Sequence, residues 1–359
     1  MADPPDLAVV SHPAGLTNAW LTAVLDVAVL GFSYERIGTG QVSDCYRIAV
    51  HYAPGAAGPA SVILKVASAD PTSRQTGAAM GLYDSEVRFY RELVPHLSPG
   101  PVPRCYHAAI DAGSGAFDLV LEDAVPAVAG DEIRGATVEQ ALRAVTELAR
   151  LHTLAAARPS LTEADWLERG SLLNAELLAQ LYTLFLARYR EYLTGPQRSV
   201  CDSLVTGFDH YLELMSTEQR GLVHGDYRLD NMLFGATEAA RSLTVVDWQG
   251  VMVAPALTDL AYFLGGALPA ELRRAHYDEL LQAYHAALGP QPARTPEQIR
   301  EAVRRQSFMG VIMSIAASVV VERTDRGDEL FLTTLARHCD HILDIGALNL
   351  LIATGENAD

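Results

Sequence analysis

A chain of 359 residues is long enough for two lobes with separate cores, and its 49% apolar and 20% charged content argues against disorder. A formal net charge of −17 speaks against nucleic acid or an anionic membrane surface as the main partner. It suits a cationic small substrate, although acidic surfaces usually serve solubility alone. In chain order, Thr17 is a capping candidate for a helix over 17–29, with Trp20, Leu21, Val24, Leu25 and Ala28 at helical spacing. Residues 31–66 turn strand-like in CYRIAV and SVILKV, separated by the turn-rich APGAAGPA. The segment DPTSRQTGAAMG reads as a glycine-containing loop, a helix follows from about Asp84 to Val94, and FDLVLE at 117–122 reads as a further strand.

From Thr137 the pattern is mainly helical, opening with a T-x-x-Q capping box formed by Thr137 and Gln140. The exception is 222–248, where LVH, MLF and LTVVDW are strand-like and the last two can pair as a hairpin; after 259 nearly everything is helical. A strand-rich part therefore meets a helix-rich part at a seam near 122–130. The expectation is an α+β chain of two lobes, 1–124 and 125–359, with a ligand cleft between them.

The four cysteines (Cys45, Cys105, Cys201, Cys339) have no metal-type spacing, which disfavours a zinc site or a disulfide framework and fits a reducing cytoplasm. The acidic opening MADPPDLAVV lacks the basic start of a secretory signal. The run VIMSIAASVVV at 311–321 is too short for a bilayer and is broken by serines. Neither a membrane nor a nucleic-acid partner is expected, and no association signature fixes the oligomeric state.

The chemistry concentrates in LVHGDYRLDNMLF, residues 222–234, where Asp226 stands five residues before Asn231 and His224 two before the aspartate. Later, TVVDWQG puts Asp247 at the end of an apolar strand. If MLF and LTVV form a hairpin, Asn231 and Asp247 share its open end, and an amide oxygen and a carboxylate there suit Mg²⁺. Asp226 is then free to take a proton from a hydroxyl nucleophile. Singly these residues say little: a D–N pair on a loop is commonly a turn or cap, and HxD could be a pair of metal ligands. Jointly, HxDxxxxN followed by an apolar strand ending in Asp has the order and spacing of the phosphoryl-transfer template.

That template requires a lysine on an early strand and a carboxylate on the next helix. Lys65 in SVILKV is the sole lysine of the chain, and Glu86 in SEVRFYREL shares a helical face with Phe89, Tyr90 and Leu93. Each charge is costly to bury alone and each supplies the other's countercharge. The bland reading is that Lys65 snorkels from a strand edge and Glu86 faces water. The template also wants a glycine-rich turn, and IGTGQVSDCYRI supplies Gly38 and Gly40, with Ser43 where a third glycine is expected.

The set IGTGQVSDCYRI, SVILKV, SEVRFYREL, LVLED, LARLH, VHGDYRLDNMLF and VVDWQGV…TDLAYFL resembles the aminoglycoside phosphotransferase and choline kinase-like group. The wording of VDWQ and FYREL is similar to ecdysteroid-kinase-like members and to phosphotransferase domains of some acyl-CoA dehydrogenase proteins. The resemblance implies a protein-kinase-like two-lobed fold, with a small antiparallel sheet and a helix in the N-lobe and a larger helical C-lobe. It implies ATP and Mg²⁺ as cofactors, Asp226 as base, Asn231 and Asp247 as metal ligands, and Lys65 with Glu86 as the phosphate-positioning pair. Gly38, Gly40 and Ser43 would cover the phosphates, and backbone groups from Glu122 to Ala124 would face the adenine. Asp259 would brace the catalytic loop, near Arg228, with a helix N-cap as the competing reading; His152 and His224 read as structural.

Eleven residues separate Asp247 from Asp259, which leaves no room for a long activation loop and turns the reading toward a small hydroxylated acceptor. The expected function is therefore an ATP- and Mg²⁺-dependent small-molecule kinase. The rivals are a catalytically silent nucleotide-binding regulator and a metal-dependent hydrolase using His224, Asp226 and Asp247.

Overall fold

The computed structural model describes residues 7–38, 40, 42–170, 173–237, 239–290, 292–321 and 323–351. Thr39 and Gln41 of the glycine turn, and the first six residues of the acidic opening, lie outside them. Two compact units emerge, the first comprising 1–127 with 235–251 and the second 128–234 with 252–359. The single crossing expected at 124/125 leaves 235–251 in the second lobe; contacts assign that segment, with Asp247, to the first unit.

The first unit is built on a five-stranded antiparallel sheet of β1 (Val29–Ile37), β2 (Ser43–Tyr52), β3 (Ser61–Ala67), β4 (Cys105–Ile110) and β5 (Phe117–Glu122), in the order β1-β2-β3-β5-β4. SVILKV thus becomes the central strand, with Lys65 opposite Cys45 on one side and Leu119 on the other. Both faces of β3 are covered, so its apolar residues do not alternate with polar ones. On one face α1 (Asn18–Leu25), capped by Thr17 as expected, contributes Trp20, Leu21 and Leu25 to a core with Ile48, Val62, Leu64 and Val120.

DPTSRQTGAAMG is not a loop. Pro71–Ala79 forms helix α2, with Asp70 accepting from the Ser73 N–H at the N-cap and Pro71 opening the first turn. The sequence pattern missed it because only Gly77 is buried, so no apolar stripe marks it. Helix α3 starts at Leu82 rather than Asp84 and passes into a wider π turn over Phe89–Leu93. There Phe89 stacks on Trp248, ring centroids 4.2 Å apart at 9°, both fully buried. The Trp248 indole N–H donates to the Val245 carbonyl, which pins the DWQ turn within its own unit.

The second unit is mainly helical. Its helices are α4 (Val138–Ala156), α5 (Ala175–Tyr189), α6 (Gly195–Thr206), α7 (Phe208–Ser216), α8 (Thr258–Gly266), α9 (Ala270–Ala287), α10 (Pro296–Gln306), α11 (Met309–Val320) and α12 (Asp325–Asp344). The Thr137–Gln140 capping box is present at the start of α4. Helices α5, α6, α7, α11 and α12 share a core that includes Phe185, Val200, Phe208, Phe308, Ile315 and Ile342. A two-stranded ribbon pairs Arg220–Val223 with Met252–Pro255 and leads directly into HGD. The apolar run 311–321 lies mostly in α11, and among the described residues no helix is long and apolar enough to cross a membrane.

Candidate active site

In the first unit, the Lys65 ammonium lies 2.7 Å from Glu86 Oε2 and 2.7 Å from Asp247 Oδ1. Lys65 and Glu86 are 5% and 1% exposed, so the snorkelling and solvated-acid readings both fall. Burial alone would lower the lysine's pKa, but Asp247 and then Glu86 outweigh it and hold the ammonium charged. Burial pushes Glu86 upward, against the pull of Lys65. The Trp248 N–H adds a hydrogen bond to Glu86 Oε1 at 3.2 Å. Asp247 occupies the left-handed region at φ 68°, a conformation uncommon outside glycine, asparagine and aspartate. The expected pair is therefore a trio with two carboxylates on one ammonium.

The glycine turn sits between β1 and β2. Gly38 has φ 69°, and a Cβ on Gly40 would lie 2.5 Å from the Ser43 carbonyl oxygen, so both positions require glycine. Ser43 is buried as the first residue of β2. Its neighbour Asp44, which sequence reasoning passed over, accepts from the Ala69 N–H and from Arg36, tying the turn to the end of β3.

At the end of β5, Glu122 donates its N–H to the Arg104 carbonyl, so that donor is spent inside the sheet. Its carboxylate accepts from the Arg104 N–H and from Arg241. Ala124 lies two residues past the end of β5. Between them Asp123 receives the Arg47 Nε and the Ser61 hydroxyl, each at 2.7 Å, and locks three strands at this end.

In the second unit, HGDYRLDN is a loop whose polar groups satisfy one another. Buried Asp259 accepts the His224 N–H at 2.6 Å on Oδ2 and the Gly225 N–H at 3.0 Å on Oδ1. The N-cap of α8 is Leu257, which removes the capping alternative for Asp259. Burial raises the Asp259 pKa, with His224 and the two amides drawing it back. His224 is fully buried, and its Nδ1 accepts the Asp226 N–H, so the ring serves the loop. His152 binds the Tyr284 hydroxyl at 2.6 Å, and burial drives its pKa down to about 4.

Arg228 does not pair with Asp259. Its Nε lies 3.0 Å from both oxygens of Asp226, and Nη1 reaches Asp230 Oδ2 at 2.8 Å. Asn231 donates its amide N–H to Asp226 Oδ2 at 2.9 Å, leaving the amide oxygen as the atom a cation can take. The Asp226 carboxylate is therefore oriented from two sides, and its side chain is 29% exposed. Sequence spacing found Asp226 and Asn231 but not this arginine, although Arg228 stands inside the motif.

Substituting Asp259 with asparagine should turn an N–H against one of the two loop amides. A loss of about 1–3 kcal/mol is expected, measured by urea unfolding, for one buried donor left without an acceptor.

The chain matches the ecdysteroid kinase-like family over residues 38–293. It belongs to that family. Across 45 residues an ecdysteroid kinase-like chain such as this is 47% identical to acyl-CoA dehydrogenase family member 11 of Gallus gallus, which covers 12% of this chain and 6% of that protein. Among solved structures, the GDP complex of aminoglycoside 2'-phosphotransferase-IIIa aligns at TM-score 0.57 and 16% identity, over 86% of this chain and 94% of that one. The microcompartment-associated aminopropanol kinase aligns at TM-score 0.52 and 15% identity, over 93% and 98%. At such identities the likeness concerns the fold, which is the protein-kinase-like α+β architecture the motifs imply.

Proposed function

We propose that this ecdysteroid kinase-like chain is an ATP- and magnesium-dependent phosphotransferase acting on a hydroxyl group of a small molecule. The observation that carries the reading is the buried Lys65 ammonium held between buried Glu86 and the partly exposed Asp247. Two carboxylates on one ammonium carry an excess negative charge that burial penalises, which makes little sense as packing alone. It makes sense where a nucleotide phosphate and a cation complete the charge balance.

Lys65, oriented by Glu86, positions the α- and β-phosphates. Gly38, Gly40 and Ser43 cover them, and Asp123 and Ala124, past the committed Glu122 N–H, are the backbone offered to the base. Asp226 orients the acceptor hydroxyl and takes its proton, while Arg228 holds that carboxylate in place.

Asn231 and Asp247 are the residues that would hold magnesium: each offers a hard oxygen, and the Asn231 nitrogen is already spent on Asp226. The described residues hold no group of three or more His, Cys, Asp and Glu side chains suited to a metal. A site completed by phosphate oxygens and water is how Mg²⁺ is ordinarily bound. When bound, magnesium would offset the negative charge that develops on the transferring phosphoryl group.

Support for a nucleotide comes from the GDP complex of aminoglycoside 2'-phosphotransferase-IIIa. A small acceptor is supported by the kanamycin complex of a related fold, and by the short segment from Asp247 to Asp259. The test is an ATP-consumption screen over hydroxylated metabolites, including amino sugars, amino alcohols, sterol-like alcohols and hydroxyacyl thioesters, with Asp247→Ala as control. Consumption above the acceptor-free rate in wild type but not in the variant is the expected result. Thermal stabilisation by ATP with magnesium, without consumption on any acceptor, would convert the assignment to a nucleotide-binding regulator.

A further inference from the structure

Glu132 lies almost a hundred residues before the catalytic loop in sequence and belongs to no motif, yet it is 2% exposed and bonded to that loop in both directions. Its Oε2 accepts the Leu229 N–H at 2.9 Å, while its own N–H donates to Asp230 Oδ1 at 2.9 Å. The neighbouring Gly130 N–H donates to the Met232 carbonyl at 2.8 Å, so 130–132 grips the turn from Leu229 to Met232 at both ends. A Cβ on Gly130 would lie 2.3 Å from the Leu229 carbonyl oxygen, which shows how closely the two backbones meet. From Asp230 the connection continues through Arg228 Nη1 to Arg228 Nε and both oxygens of Asp226.

The far side of Glu132 faces a second feature that the catalytic reading does not use. The His338 ring is 1% exposed, stacks on Tyr262 at 5.2 Å, and is cradled by glycines: a Cβ on Gly310 would lie 2.2 Å from three of its atoms. Among the described residues neither His338 nitrogen has a hydrogen-bond partner. A Cβ on Gly266 would stand 2.7 Å from Glu132 Oε1 and 3.0 Å from His338 Nε2, but those two atoms make no hydrogen bond with each other. Burial raises Glu132 to about 7, opposed by the Leu229 N–H and Arg228, raised further by Asp230 and opposed by Arg337. Tyr262 also borders it, and burial with Arg273 and Arg337 lowers His338 to about 3.

We propose that Glu132 is a positioning residue for Asp226: one carboxyl oxygen accepts the Leu229 N–H while its backbone N–H donates to Asp230, and this grip holds Asp230 and Arg228 in register. The role rests on the assignment of Asp226 as base, whereas the grip itself does not.

The test compares Glu132→Gln with Glu132→Ala. Glutamine keeps a carbonyl for the Leu229 N–H; alanine does not. Hydrogen exchange of the Leu229 amide, which needs no substrate, is expected near the wild-type rate in Glu132→Gln and about tenfold faster in Glu132→Ala, the loss of one net hydrogen bond. ATP hydrolysis without an acceptor should show kcat retained in Glu132→Gln and lowered about tenfold in Glu132→Ala, with KM for ATP–magnesium unchanged. Stability adds a sign. Because folding raises the group from 4.5 to about 7, its contribution is fully present below pH 4.5 and is lost as pH rises through 7, and Glu132→Gln should abolish that loss. Wild-type exchange and kcat in Glu132→Ala would overturn the proposal, as would a Glu132→Gln protein as impaired as Glu132→Ala. If Glu132→Ala does not fold, Leu229 exchange and the pH profile of Glu132→Gln decide. Absence of ATP consumption with every acceptor would sink the kinase reading, while Leu229 exchange would still judge the grip.

Discussion

Replacing Asp226 with alanine is expected to lower phosphoryl transfer by about 10²–10⁴-fold, the usual contribution of a positioned general base, with nucleotide binding largely intact. The expectation rests on what surrounds the carboxylate. Arg228 contacts both its oxygens and Asn231 donates to one, so its direction is fixed before any hydroxyl arrives. Nothing comparable ties Asp226 to the fold's core: it is partly exposed, and Arg228 retains Asp230 when it is removed. The loss should therefore appear in kcat with little change in unfolding midpoint. The checks are steady-state rates on the best acceptor and calorimetric titration of ATP with magnesium. A variant turning over at the wild-type rate would refute Asp226 as base, and the role given to Glu132 would go with it.

The second large effect concerns Lys65. Lys65→Ala leaves Glu86 and Asp247 facing each other without their shared cation, and breaking a buried ion pair in this way costs about 3–5 kcal/mol. Lys65→Arg keeps the charge but not the shape. A planar guanidinium cannot occupy the space of an ammonium that sits within 2.7 Å of two carboxylates on a central strand. It should therefore recover part of the stability lost in Lys65→Ala yet bind ATP at least about tenfold more weakly than wild type. Because the trio holds the ammonium charged above its ordinary value of 10.5, its contribution to stability should be constant from pH 6 to 9 and be lost only at higher pH. Urea unfolding across that range and nucleotide titration of the three proteins measure both claims.

The legible part of this molecule was the part in which chemistry is written as spacing. HxDxxxxN, the aspartate ending VVD, and a lone lysine on an apolar strand are local patterns, and they point to the Lys65–Glu86 pair. Helix α2 was hidden because its signal is a cap and a proline rather than an apolar stripe. Asp123, 76 residues from Arg47 and 62 from Ser61, and Glu132, 97 residues from Leu229, act through contacts that no periodicity encodes. Arg228 lay within the motif, but only geometry could tell that it serves Asp226 rather than Asp259. The assignment of 235–251 to the first unit likewise follows from packing, with Phe89 on Trp248, and not from composition.

The central claim is that a phosphoryl group moves from ATP to a hydroxyl, and phosphorus NMR of one reaction tests it. With the strongest acceptor from the screen, ATP and magnesium, the account predicts one new phosphomonoester resonance for each ADP formed, dependent on Asp226 and Lys65. Release of inorganic phosphate alone, or an unchanged ATP spectrum with every acceptor, would contradict it.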